Sequence, residues 1–113
     1  MLFRSAGLAA NPNHPGLLNN YAWLLATCPD TKIRDGKKAT EHARRACEFT
    51  QYSRPIFVGT LAAAQAEAGD FESAVATAQK TIELARALAL NDTVEINSEL
   101  LELYRRGKTC LEK

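Results

Sequence analysis

Thr60–Ala85 reads TLAAAQAEAGDFESAVATAQKTIELA, the pattern of two helices with a stop between them. Leu61, Ala64 and Ala68 recur at helical spacing, and Ala62 widens the same face. Gly69 then ends the first helix, because glycine reaches the left-handed C-cap conformation with no Cβ to clash. Asp70 is placed to cap a second helix, and Glu72 puts negative charge in its first turn, where the dipole favours it. Phe71, Ala74, Val75, Ala78, Ile82 and Ala85 draw a second apolar stripe. So short a connection joins antiparallel neighbours, an αα-hairpin. Facing alanines let the two helices approach closely, while Phe71 and Ile82 supply bulk, so Phe71 is expected to be enclosed by its own hairpin and the next. One such hairpin cannot cover both of its faces and calls for a similar one on each side.

Working outward, Pro55 starts the first helix of this hairpin and Gln51–Arg54 connects it to what precedes. The segment from Lys37 to Thr50 places Ala39, Ala43, Ala46 and Cys47 on one face of a helix that Asp35 is positioned to cap. Its other face carries Lys37, Lys38, Glu41, Arg44, Arg45 and Glu48, a solvated face with charge pairs at helical spacing such as Glu41 with Arg45. Upstream, CPDTKIRDG (Cys28–Gly36) is a loop, expected to be a tolerated insertion in which Lys32 and Arg34 are dispensable for folding. Before it, PGLLNNYAWLLAT (15–27) starts on Pro15 and is apolar around much of its circumference, which predicts a central helix. Residues 1–11 are expected to be the end of an earlier helix.

Downstream, the second helix of the hairpin is expected to run to about Ala89, where Asn91 and Asp92 break it. Asp92-Thr93-Val94-Glu95 fits a capping box for a last helix, with Val94, Ile96, Leu100, Leu101 and Tyr104 inward. Glu95, Glu99, Glu102, Arg105 and Arg106 give that helix the polar outer face of a terminal cap, and Gly107 ends it.

The 113 residues allow one domain, and 46% hydrophobic content supports a core without staples. A net charge of +1, with no basic-aromatic stripe, argues against nucleic acid as a partner. No apolar run reaches membrane-spanning length, and MLFRSAGLAANPNHP lacks the layout of a signal peptide. Cys28, Cys47 and Cys110 are odd in number, form no C-x-x-C pair, and read as thiols of a reducing, cytoplasmic compartment. With His14 and His42 they do not make zinc-ligand spacing, so no metal or cofactor is expected. No nucleophile triad, phosphate-binding loop or paired-carboxylate motif is present, which speaks against an enzyme.

The two hairpins repeat. Pro55 stands 40 residues after Pro15, an offset that also aligns Ala22 with Ala62 and Leu25 with Gln65. The second helices align at a shorter offset, Ala39 with Ala74 and Ala43 with Ala78. The five-residue difference falls in the CPDTKIRDG loop, and one further residue lies between the hairpins. Removing these leaves a period of 34 residues. In NNYAWLLATCPD, RDGKKATEHARRACEFT and TLAAAQAEAGDFESAVATAQKTIELA the chain resembles a tetratricopeptide repeat array, in particular the C-terminal repeats of bacterial members. Leu61, Gly69, Phe71 and Ala74 agree with the family pattern and Ala62 replaces its small Gly, whereas Val58, Gln65 and Ala78 depart from its aromatic slots. Other αα-solenoids share this physics with different periods.

The resemblance implies an all-α fold of αα-hairpin repeats in a short right-handed solenoid. Repeats would cover residues 15–50 and 55–89, with a capping helix at 93–106 and the remnant of a preceding repeat at 1–11. It implies a non-catalytic scaffold that binds a protein or peptide on the concave face formed by the first helix of each repeat. The alternative is an accessory segment of a larger multidomain enzyme, such as a glycosyltransferase-like protein. Carried over residue by residue, the concave positions are Asn19, Asn20 and Trp23 in the first repeat and Gly59, Thr60, Ala63 and Glu67 in the second. Asn side chains suit pairing with a peptide backbone, or solvation and loop capping. Trp23 reads either as an interface anchor or as a buried packing residue, and its bulk favours the second. The Lys and Arg of the family's carboxylate clamp are absent at the matched positions, which argues against recognition of a C-terminal carboxylate. With only a remnant helix before it, the first repeat is expected to expose an apolar patch around Leu17, Tyr21 and Leu24, able to drive a weak homodimer.

Overall fold

Pro15 and Pro55 each occupy the first helical turn, where an N–H is unpaired in any case. The structure, a computed structural model, describes residues 14–112. Among these, five α-helices follow one another: α1 (Pro15–Thr27), α2 (Gly36–Phe49), α3 (Pro55–Glu67), α4 (Phe71–Ala87) and α5 (Asn91–Arg105). A short 3-10 turn, Cys110–Glu112, ends the described chain. No strand occurs among the described residues, and no helix among them is long and apolar enough to cross a membrane. The expected remnant helix at residues 1–11 lies outside the described residues.

The fold is all-α. α1 packs on α2 and α3 on α4, each helix contacts the next along the chain, and the first helices α1 and α3 also lie side by side. α5 packs on α4 and meets α3, so α1, α3 and α5 succeed one another along one side.

Local chemistry sets the boundaries. Asp35 accepts from the Lys38 N–H at 3.1 Å and Asp70 from the Ser73 N–H at 3.2 Å, each the first-turn donor that a cap must satisfy. The hydrogen bonds of Ser73 hold the Asp70 carboxyl below its usual range. At α1 the capping acceptor is His14, whose Nδ1 receives the Leu17 N–H at 3.2 Å. α3 closes in a Schellman turn: the Asp70 N–H reaches the Gln65 carbonyl at 2.9 Å and the Gly69 N–H reaches Ala66 at 3.0 Å. α4 closes in the same way, Leu90 to Ala85 at 2.8 Å and Ala89 to Arg86 at 3.0 Å. There the left-handed position is held by Ala89, at φ +57°, where α3 uses Gly69. This turn feeds directly into α5, so the expected capping box at Asp92–Glu95 does not form. Leu90 is the N-cap with no side-chain bond, and Asp92 lies in the first turn, where its charge still suits the dipole.

The core centres on α3. Its Phe57, Val58 and Leu61 pack with Leu18 and Ala22 of α1 and Ala43, Ala46 and Cys47 of α2. Its Ala62 and Ala66 pack with Ala74, Ala78 and Ile82 of α4 and Leu100, Leu101 and Tyr104 of α5. Its Ala64 packs with Leu25, Ala26 and Ala39. The expectation of a central α1 is corrected: α3 is buried on nearly every side, whereas α1 leaves Trp23 and Leu24 exposed. Alanine explains the difference, since a helix surrounded by neighbours has room only for small side chains. The predicted inward faces of α2 and α4 are observed, but Phe71 is only half-buried against the α3–α5 cluster.

The Cys28–Asp35 loop is held at several points. The Asp35 N–H donates to the Leu25 carbonyl at 2.8 Å, and Arg34 donates from Nη1 to the Cys28 carbonyl at 3.1 Å and from Nε to Glu67 at 3.0 Å. Gly36 lies against the end of α3, where a Cβ would stand 2.5 Å from the Ala68 nitrogen. Loop and second hairpin thus fit through a backbone-to-backbone contact. Lys32 is exposed, as expected of a dispensable side chain, whereas Arg34 is built into this junction.

Candidate functional site

Three parallel exposures define a groove along the row of first helices. Trp23 of α1 is 44% exposed, Ile56 of α3 63% and Ile96 of α5 55%. They line one open groove of about 900 Å³. Exposed large apolar groups gathered in a concave surface are the usual mark of an interaction site.

The floor is polar but mostly self-satisfied. Thr60 donates its hydroxyl to the Ile56 carbonyl at 3.1 Å, Thr27 to Trp23 at 2.7 Å, and Asn97 donates Nδ2 to Thr93 at 2.9 Å. Gly59 allows the close approach of Asn97, whose Oδ1 would stand 3.1 Å from a Cβ at that position. Asn19 differs: it is 8% exposed, and its Oδ1 is buried with no hydrogen-bond partner. A buried acceptor left unpaired costs about 1–3 kcal/mol.

None of the described groove-lining residues is Asp, Glu, Lys, Arg or His. Groups with shifted acidity lie elsewhere. Burial, then Arg45, lowers the pKa of His42, whose ring sits 5.2 Å from that of Tyr21. Burial pushes the Cys47 thiol up to about 11 inside the core. Burial also raises the Tyr104 hydroxyl, which lies 3.2 Å from Cys110 Sγ. His42 Nδ1 and Gln65 Oε1 are further buried atoms without a partner, and neither residue lines the groove. Among the described residues no three His, Cys, Asp or Glu side chains converge as metal ligands.

Of the residues singled out from the sequence, Asn19, Asn20, Trp23, Gly59 and Thr60 line the groove. Ala63 and Glu67 do not: Ala63 is 2% exposed, and Glu67 receives Arg34. The packing role favoured for Trp23 is corrected by its exposure. Ile96, expected inward, is also exposed, so α5 walls the groove as well as capping the stack. Ile56 and Asn97 were not singled out. Ile56 carried a usable signal, being a large apolar residue one place beyond a helix-starting proline, whereas Asn97 reaches the site only through tertiary packing. Of the patch expected at the N-terminal end, Leu17 and Tyr21 are half-buried and Leu24 is exposed into the groove. No family model matches this chain, and no curated protein or solved structure matches it either.

Proposed function

We propose that this chain is a non-catalytic interaction scaffold of tetratricopeptide type, holding a protein or peptide partner in the groove between α1, α3 and α5. The observation that carries the reading is the convergence of Trp23, Ile56 and Ile96, one exposed apolar group from each helix of the row, on a single open groove. A tryptophan half out of the core has surface left to bury and is a common anchor of binding energy. The groove-lining chemistry of amides, hydroxyls and apolar groups suits recognition, and offers no acid–base pair with which to turn over a substrate.

The test is capture by the immobilised full chain, compared with Trp23→Ala and Ile56→Asp variants whose helicity is first checked by circular dichroism. The reading expects proteins retained by the native chain to be lost from both variants. Retention that is indifferent to both substitutions overturns it.

A further inference from the structure

We propose that the chain binds further copies of itself head to tail, the basic outer face of α2 on one copy against the acidic outer face of α5 on the next. Charge is the first ground. Residues 14–54, which hold the first hairpin, carry seven Lys or Arg against four Asp or Glu, a net +3. Residues 55–112 carry five against nine, a net −4. The polarity runs along the stack, because α1 and α2 flank α3 at one end while α5 packs on α4 and α3 at the other. Lys37, Lys38 and Arg44 are exposed on α2, and Asp92, Glu95 and Glu99 are exposed along one side of α5. None of these six forms an ion pair among the described residues, whereas Glu102 of α5 is held by Arg105 at 2.9 Å. Glu41 and Glu48 share the α2 face without cancelling the excess of its hairpin.

The second ground is register. Phe49 ends α2, and Leu88 and Leu90 form the turn that leads into α5; each is 40% exposed or more. Successive helices alternate in direction, so these apolar groups lie at the same end of the stack. Counted from that end at about 1.5 Å per residue, Arg44 lies about 8 Å along α2 and Glu95 about 6 Å along α5. Lys38 and Glu99 follow at about 17 and 12 Å. Copies set down in one orientation thus bring apolar to apolar and base to acid together. A two-fold contact through either face would set like charges against each other. Asp92, Glu95 and Glu99 do not line the groove, so each copy keeps it open to a partner.

The test is sedimentation velocity of the full chain over a concentration series, at about 0.01 M and about 1 M salt, where the screening length falls from about 30 Å to about 3 Å. Species larger than a dimer are expected at low salt, because a head-to-tail contact leaves both ends open. At high salt the association is expected to weaken roughly tenfold or more. The variants Lys37→Glu/Lys38→Glu and Glu95→Lys/Glu99→Lys change exposed positions only, and circular dichroism checks that both fold. Each alone is expected to sediment as a monomer, and an equimolar mixture to associate, since each keeps the face that the other has lost. A native chain that stays monomeric at low salt, stops at a dimer, or associates equally in both salts overturns the inference. So does a mixture of the two variants that stays monomeric. Any of these results leaves the scaffold reading standing, because the groove takes no part in the contact.

Discussion

α1 and α3 both begin on a proline and align at an offset of 40 residues, yet they end in opposite surroundings. Leu18 and Val58 correspond and are both sealed, at 1% and 0% exposure. Five places on, Trp23 is 44% exposed where Ala63 is 2%, and Leu24 is 40% exposed where Ala64 is 0%. The inner stripe is shared and the outer stripe is not. α3 has neighbours on both sides, so its outer positions are alanine; α1 has the groove there, so its outer positions are large. Being apolar on every side therefore marks a buried helix only when the residues are also small.

The sharpest way to break this contrast is within α1. Leu18→Ala should cost about 2–5 kcal/mol, since the cavity would open beneath Ala43, Ala46 and Cys47, whereas Trp23→Ala should stay within about 1 kcal/mol. Urea midpoints at unchanged slope measure both, and equal losses would mean that the outer stripe also carries packing.

The hairpin connections offer the next test. Gly36→Ala should cost about 3 kcal/mol, because the atoms in its way belong to the Glu67 and Ala68 backbone and cannot turn aside. Gly69→Ala meets nothing within 4 Å and should cost only about 1 kcal/mol, the strain of a side chain at φ +88°. Thermal unfolding of the two variants should rank them in that order; the reverse ranking would show that the loop is not seated on α3.

Matched positions give a smaller effect. Ala64→Leu should lose about 2 kcal/mol by overpacking Leu25, Ala26 and Ala39, while Leu24→Ala at the corresponding place in α1 should be within about 1 kcal/mol. A harmless Ala64→Leu would mean that α3 has spare room and that its alanines need another explanation.

The smallest effect compares the two Schellman turns. Ala89→Gly should stabilise by about 0.5–1 kcal/mol, relieving a left-handed alanine at a site whose counterpart is already Gly69. A rise in the unfolding midpoint is expected, and a fall would show that the Ala89 methyl makes contacts worth more than its strain.

Features written locally were legible. The stop at Gly69, the caps at Asp35 and Asp70, the proline starts, and the buried Ala39, Ala43, Ala46 and Cys47 all depend on residues within one or two turns. Misread or missed features depend on what a distant segment does. The contact of Arg34 could not be read because Glu67 lies far along the chain, and Gly36 gave no sign of the Ala68 backbone. The box at Asp92–Glu95 was a sound local pattern overridden by the turn that closes α4. His14 went unread as a cap because histidine is an unusual acceptor for that place. Part of the candidate groove was legible through the repeat offset, at Asn19, Asn20, Trp23, Gly59 and Thr60. Asn97 and Ile96 enter it only because α5 folds back beside α3.

That α3 shares in all three core clusters bears on how the molecule comes apart. In a long array of equivalent units, each unit leans only on its neighbours, and the ends fray while the middle holds. Here one helix is the inner wall of both hairpins at once. Pulling α1 and α2 away uncovers Val58 and Leu61, and pulling α4 and α5 away uncovers Ala62 and Ala66, on the same thirteen-residue segment. Neither half keeps a complete interior when the other leaves, so the described helices are expected to unfold as a single cooperative unit rather than as a string of separable ones.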